Sequence, residues 1–365
     1  MPPGHSNRLA TVDLLRVIAA VSVAWFHFTN GSSVLHDGWL YRSGQYGWLG
    51  VEMFFVISGF VIPHSLHKAG YRAGDFGRFL VKRIARLDPP YFATILICVG
   101  LSYLVTLAPG FRGDWPHYTW GQLAAHIAYV NSFVHLRWIN VVFWSLGIEF
   151  QYYLLIGLAF PLLVARRSGL RFGFLGLLLA LSILIRDEAL VFHYLPLFVA
   201  GMLAFQARAG LISTRTLLVG LTATAVAGPV AAVGIATGLI LRFVEIRPSR
   251  LTNFGLLSYS LYLLHVPIGG KIMNLGGRFA HSQPAIAALL AVAMGASFLA
   301  SALFYRLVEL PSQRLSSSIG YGDHGRDQRI LSLVGHALAC PRQGERSSRA
   351  LESEVQSGYP GRSGL

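Results

Sequence analysis

Charged residues are scarce in this chain of 365 residues: Asp, Glu, Lys and Arg together make up 13 %, about half the share found in soluble domains. Acidic residues are the scarcer kind, 16 against 30 Lys and Arg, for a formal net charge of +14. The two cysteines, Cys98 in an apolar run and Cys340 in a polar tail, exclude a disulfide-stapled secreted scaffold. No repeat with a period of about 20–50 residues is evident, which excludes a solenoid. The sequence also lacks a G-x-S-x-G elbow, an H-E-x-x-H helix, a P-loop and a C-x-x-C pair. The serine-hydrolase, zinc-protease, nucleotide-triphosphatase and dithiol chemistries that use those motifs therefore have no footing here.

Apolar residues are in excess instead, at 54 % of the chain with a mean hydropathy of +0.53. A soluble globule of this size cannot hide that much apolar surface, and disorder and coiled coil fail on the same composition. A polytopic membrane protein remains. The basic residues stand in short clusters between apolar segments and no nucleic-acid motif accompanies them, so they read as loop anchors on the cytoplasmic side and not as a nucleic-acid surface.

About 20 apolar residues cross the hydrocarbon. The expected spans are 9–29, 47–66, 90–108, 141–165, 172–185, 189–207, 251–268 and 284–308, with two short spans in 217–241 that turn at Gly228-Pro229. A single helix over 217–241 would put Arg242, Arg247 and Arg250 on the wrong side, so the hairpin is preferred. No small-residue cleavage site follows the first span, and a cleaved signal peptide is not expected. The expectation is an all-α, polytopic membrane bundle of about ten transmembrane helices with both termini in the cytoplasm. It divides into a transmembrane domain, 1–315, and a mobile basic and polar tail, 316–365.

Ionisable residues in lipid cost several kcal/mol, so each needs a reason. Arg16 and His27 lie eleven residues apart on the first span. On a helix that returns to within about 20° of the same face, roughly 16 Å further along the axis. Each has a structural explanation on its own, Arg16 pairing with Asp13 and His27 bonding a backbone carbonyl, but the shared face favours function. Glu52, Glu149 and His265 are expected at a depth similar to His27, and carboxylates facing imidazoles are what general acid–base chemistry requires. Lys82, Arg83 and Arg86 precede Pro89-Pro90; Arg83 and Arg86 share a helix side, a basic clamp suited to phosphates. Glu309 reads as an ion-pair partner. The scattered histidines, His126 among them, show no metal-ligand spacing, and no metal is expected.

These residues lie in segments that resemble the acyltransferase 3 family of membrane O-acyltransferases: LATVDLLRVIAAVSVAWFHF, GWLGVEMFFVISGFVI, KRIARLDPPY with its R-x-x-R, VFWSLGIEFQYY, GLLSYSLYLLHVPI and YRLVELPSQR, in family order. The resemblance implies transfer of an acyl group, most simply acetyl, from cytoplasmic acyl-CoA to a hydroxyl of a glycan or glycoconjugate in a bacterial inner membrane. It implies an essential His27 and a part for Arg16, Arg83 and Arg86 in activity or CoA binding; the residue pattern itself adds Lys82 to the phosphate clamp, Glu149 or Glu52 to orient His27, and His265 nearby. The expected partners are acyl-CoA, the acceptor glycan and the bilayer, with no nucleic acid; the oligomeric state is left open. A glycan-intermediate transporter and a structural subunit of a polysaccharide-export complex stand as alternatives from other classes.

Overall fold

The computed structural model describes residues 9–32, 34–107 and 115–321; Arg8, Cys340 and the tail beyond residue 321 lie outside the described residues. Every regular element among the described residues is helical. The long elements are α1 (Ala10–Thr29), α3 (Leu49–Lys68), α4 (Phe76–Thr106), α6 (Phe143–Leu163), α7 (Ser168–Leu184), α8 (Val191–Arg208) and α14 (Gln283–Phe304). Shorter ones are α2 (Gly38–Gly44), α5 (Trp120–Ile127), α9 (Thr214–Ala223), α10 (Ala231–Phe243), α11 (Arg250–Asn253), α12 (Ser258–Leu264), α13 (Lys271–Gly276) and α15 (Leu310–Ser318). Among the described residues, six continuous helical stretches are long and apolar enough to cross a membrane. Their outward faces carry large apolar side chains that no protein covers, such as Leu96 at 73 % exposure and Leu299 at 75 %, as a chain solvated by lipid requires.

One of the six stretches doubles back on itself. Gly228 adopts φ +70° between α9 and α10, a left-handed turn open to glycine, and Pro229 follows. Leu221 of α9 packs opposite Gly238 of α10, while Arg208 at the end of α8 bonds the Leu241 carbonyl and pairs with Glu245 at 3.0 Å. The hairpin expected from the arginines past residue 241 is therefore the observed arrangement.

Two expected spans differ. The segment read as 90–108 is a helix that starts at Phe76 and runs through Pro89 and Pro90 for 31 residues. Two prolines remove two intrahelical donors; Pro90 is buried and Pro89 exposed, and the helix continues through both, with the Tyr259 hydroxyl donating to the Leu87 carbonyl beside them at 3.1 Å. The segment read as a single span over 251–268 is a succession of short pieces: α11, a 3₁₀ turn (Phe254–Leu257), α12, a π-helical stretch (His265–Gly270) and α13. A second π stretch, Tyr305–Glu309, joins α14 to α15. Such wide turns re-aim side chains and recur at functional sites.

The frame that holds the site is the crossing of α3 with α8. A Cβ added to Gly59 would overlap the Phe198 carbonyl, and one added to Gly201 would overlap that of Val56, so the two backbones touch as small residues allow. Gly201→Val is expected to cost about 2 kcal/mol or more, read as a lower unfolding temperature in detergent. An unchanged transition would show that this crossing is not a primary support.

Candidate functional site

A cavity of about 450 Å³ opens among α1, α3, α4, α6, α12 and the second π stretch. α1 contributes Arg16, and one turn of α4 contributes Arg83 and Arg86. Ser145, Glu149 and Tyr153 enter from α6 at intervals of four, which places them on one helix face. The charges are partly matched: Glu149, Asp13 and Arg86 are within electrostatic reach of Arg16, and Arg16 and Arg86 within reach of Glu309. Glu149 Oε1 accepts from Ser58 Oγ at 2.8 Å, and the Tyr153 hydroxyl is within electrostatic reach of this carboxylate. The Arg83 guanidinium carbon stands 5.4 Å from the centres of the Phe79 and Tyr153 rings, within range of a cation–π contact with each. Glu309 accepts from Ser260 and, at 2.9 Å, from Gln313. Arg16, Arg83 and Arg86 share the lining with three carboxylates, Asp13, Glu149 and Glu309, and the three guanidinium groups are the donors an anion entering this cavity would meet.

The far wall is Tyr262, edge-on to Phe54 at 5.5 Å. Behind it stands His265, fully buried, its ring 5.9 Å from that of Tyr262. His265 Nε2 meets His27 Nδ1 at 3.1 Å. Backbone carbonyls fix the protons of this imidazole pair. His265 Nδ1 lies 3.0 Å from the Leu261 carbonyl and His27 Nδ1 lies 3.0 Å from the Val23 carbonyl. A carbonyl only accepts, so each neutral ring carries its hydrogen on Nδ1. The one hydrogen on His27 Nδ1 is then shared between the Val23 carbonyl and His265 Nε2, and His27 Nε2 is left with a bare lone pair and no hydrogen-bond partner among the described residues. An imidazole with one nitrogen anchored and the other free has the form of a general base.

The structure therefore brings Arg16, Arg83, Arg86 and Glu149 around one cavity, and His27 with His265 just beyond it. It also corrects three expectations. The groups bonded to His27 are Val23 and His265, so neither Glu149 nor Glu52 orients the ring; Glu149 is held a helix away by Ser58. Glu52 lines a different cavity with Trp48 and Trp144, and Phe55 divides the two: it lines the first and packs 6.2 Å from Trp144. Lys82 lies about 100° around α4 from Arg83 and donates to the Ile319 carbonyl at 3.0 Å, tying α15 to α4. Tyr262 was not singled out from the sequence, although its place three residues before His265 puts both on one helix face. His126 is fully buried, its Nε2 accepting from the Ile139 N–H at 3.0 Å, and it organises the connection between α4 and α6.

Lipid-facing apolar side chains on a helical bundle, with an arginine-lined cavity and a histidine pair beyond it, define a polytopic membrane protein. The family model for the acyltransferase domain matches residues 9–240; the chain belongs to this family, acyltransferase 3. The O-acetyltransferase OatA of Staphylococcus aureus is 32 % identical over 174 residues, 43 % of this chain and 26 % of that protein. The peptidoglycan O-acetyltransferase OatA of Listeria monocytogenes is 27 % identical over 154 residues, 40 % of this chain and 23 % of that protein. The matched region thus spans about a quarter of the length of these relatives. No solved structure matches the chain.

Proposed function

We propose that the protein transfers an acyl group, acetyl in the simplest case, from acyl-CoA to a hydroxyl of a cell-surface glycan across the bacterial plasma membrane. The names of the relatives support acetyl as the group and a wall glycan as the acceptor class. The observation that carries the mechanism is the free Nε2 of His27, whose other nitrogen is tied to Val23 and His265. The positive-inside rule puts the arginine-rich end of the bundle in the cytoplasm. With the hairpin counted as two and the 250–276 segment as one, about ten segments alternate between the two faces.

In this mechanism Arg16, Arg83 and Arg86 bind the CoA phosphates, and the pantetheine arm lies in the cavity of about 450 Å³ with the thioester at Tyr262. The acceptor oxygen loses its proton to His27 Nε2 and attacks the thioester carbonyl. The C–S bond then breaks, and the proton on His27 passes to the departing thiolate, giving the ester and free CoA. Throughout, His27 Nδ1–H points at His265 Nε2, which stabilises the imidazolium in the place a triad gives to a carboxylate.

The test is transfer of label from radiolabelled acetyl-CoA to glycan by proteoliposomes; movement of glycan without modification would favour transport instead. Arg83→Ala with Arg86→Ala is expected to raise KM for acetyl-CoA about tenfold or more, because charge-assisted phosphate contacts are worth about 1.5–3 kcal/mol each, while kcat changes less. A donor KM that stays flat would reduce these arginines to topology anchors.

A further inference from the structure

The second cavity, of about 950 Å³, takes no part in the chemistry described so far. Indoles form its wall: Trp48 just ahead of α3, Trp138 in the connection before α6, and Trp144 on α6. Glu52 lines it from the first turn of α3, one turn on from Trp48. This glutamate is 8 % exposed, and its Oε2 has no hydrogen-bond partner. A buried carboxylate oxygen left unmet is costly, so a group that donates to it is expected from outside the protein. Glu188 and His193 add polar groups to the same wall. An acyl chain would fill the space and leave Glu52 unmet, and among the described residues no group of three metal-ligating side chains occurs. A pyranose satisfies both halves of the wall, since its C–H face packs on an indole while its hydroxyls donate to a carboxylate.

We propose that this cavity is a saccharide subsite: Trp48, Trp138 and Trp144 receive the face of a sugar ring, and Glu52 accepts one of its hydroxyls. His27 does not line this cavity, so the sugar held here is a neighbour, along the glycan chain, of the one that is acylated. The subsite thereby selects an oligomeric acceptor over a monosaccharide. Calling its ligand the acceptor rests on the acyl-transfer reading; saccharide binding itself does not.

Both can be tested separately on the full chain in nanodiscs, with chitotetraose, cellotetraose and maltotetraose as probes. Calorimetry is expected to show saturable binding of at least one of them, weakened about tenfold in Trp48→Leu by loss of stacking and about tenfold in Glu52→Gln by loss of a charged acceptor. In transfer assays the same variants raise KM for the tetrasaccharide and leave KM for acetyl-CoA in place. Binding with this dependence but without any acyl transfer would sustain the subsite and sink the acyl-transfer reading. Transfer with an unchanged tetrasaccharide KM in both variants would overturn the subsite. So would no binding of the three sugars at about 10 mM, where even a millimolar site is mostly filled.

Discussion

His27→Ala is expected to lower kcat for acyl transfer about 10³-fold, the middle of the range for loss of a positioned general base. The reason is local. His27 Nδ1 is committed to the Val23 carbonyl and to His265, and Nε2 is the nitrogen that remains to take a proton. An acceptor hydroxyl is a poor nucleophile until its proton has somewhere to go, and removing the ring removes that destination. The ring is half-buried at the end of α1, so the alanine variant should insert, fold and bind acetyl-CoA as before. Binding of donor at wild-type affinity with transfer reduced to a trace is the expected pair of readings. Transfer within threefold of wild type would remove His27 from the chemistry.

His265 should give the second largest effect, through His27. Replacing it by leucine removes one of the two acceptors of His27 Nδ1–H, leaving the Val23 carbonyl, and weakens the stabilisation of the imidazolium. A drop in kcat of about 10- to 100-fold is expected, less than for the base itself, with donor KM unchanged. His265 is fully buried beside Phe28, so a packing defect must be told apart from lost positioning. His265→Gln does this, because its Oε1 can accept the same hydrogen. Recovery of most of kcat by glutamine but not by leucine supports positioning; equal losses in both would mean that the residue serves packing.

How much of this was legible in the sequence depends on whether the relation is local. Arg83 with Arg86, and Glu149 with Tyr153, are helix neighbours, and their common cavity follows from spacing alone. The same arithmetic separates Glu52 from Ser58, about 120° apart on α3, although similar depth suggested that Glu52 and Glu149 would act together. Depth orders residues along the membrane normal; only the helix wheel says which of two cavities they face. The Arg16–His27 stripe is sound as helix geometry, yet the cavity stops at Tyr262, because that wall comes from a helix more than 230 residues further on. The His27–His265 contact is equally remote, and a π-helical stretch sets its aim. The hairpin at Gly228 was readable because the charge rule and a Gly-Pro turn agreed. The uninterrupted α4 was not, because two adjacent prolines argue for a break and the helix runs through them.

The pH dependence of kcat, compared between the wild type and the residual activity of His27→Ala, tests the assignment of the base most directly. A wild-type rate that climbs as one group loses a proton, with that rising limb absent from the variant, is the expected result. The same limb persisting in the variant would assign the ionisation to another residue and contradict the role given to His27.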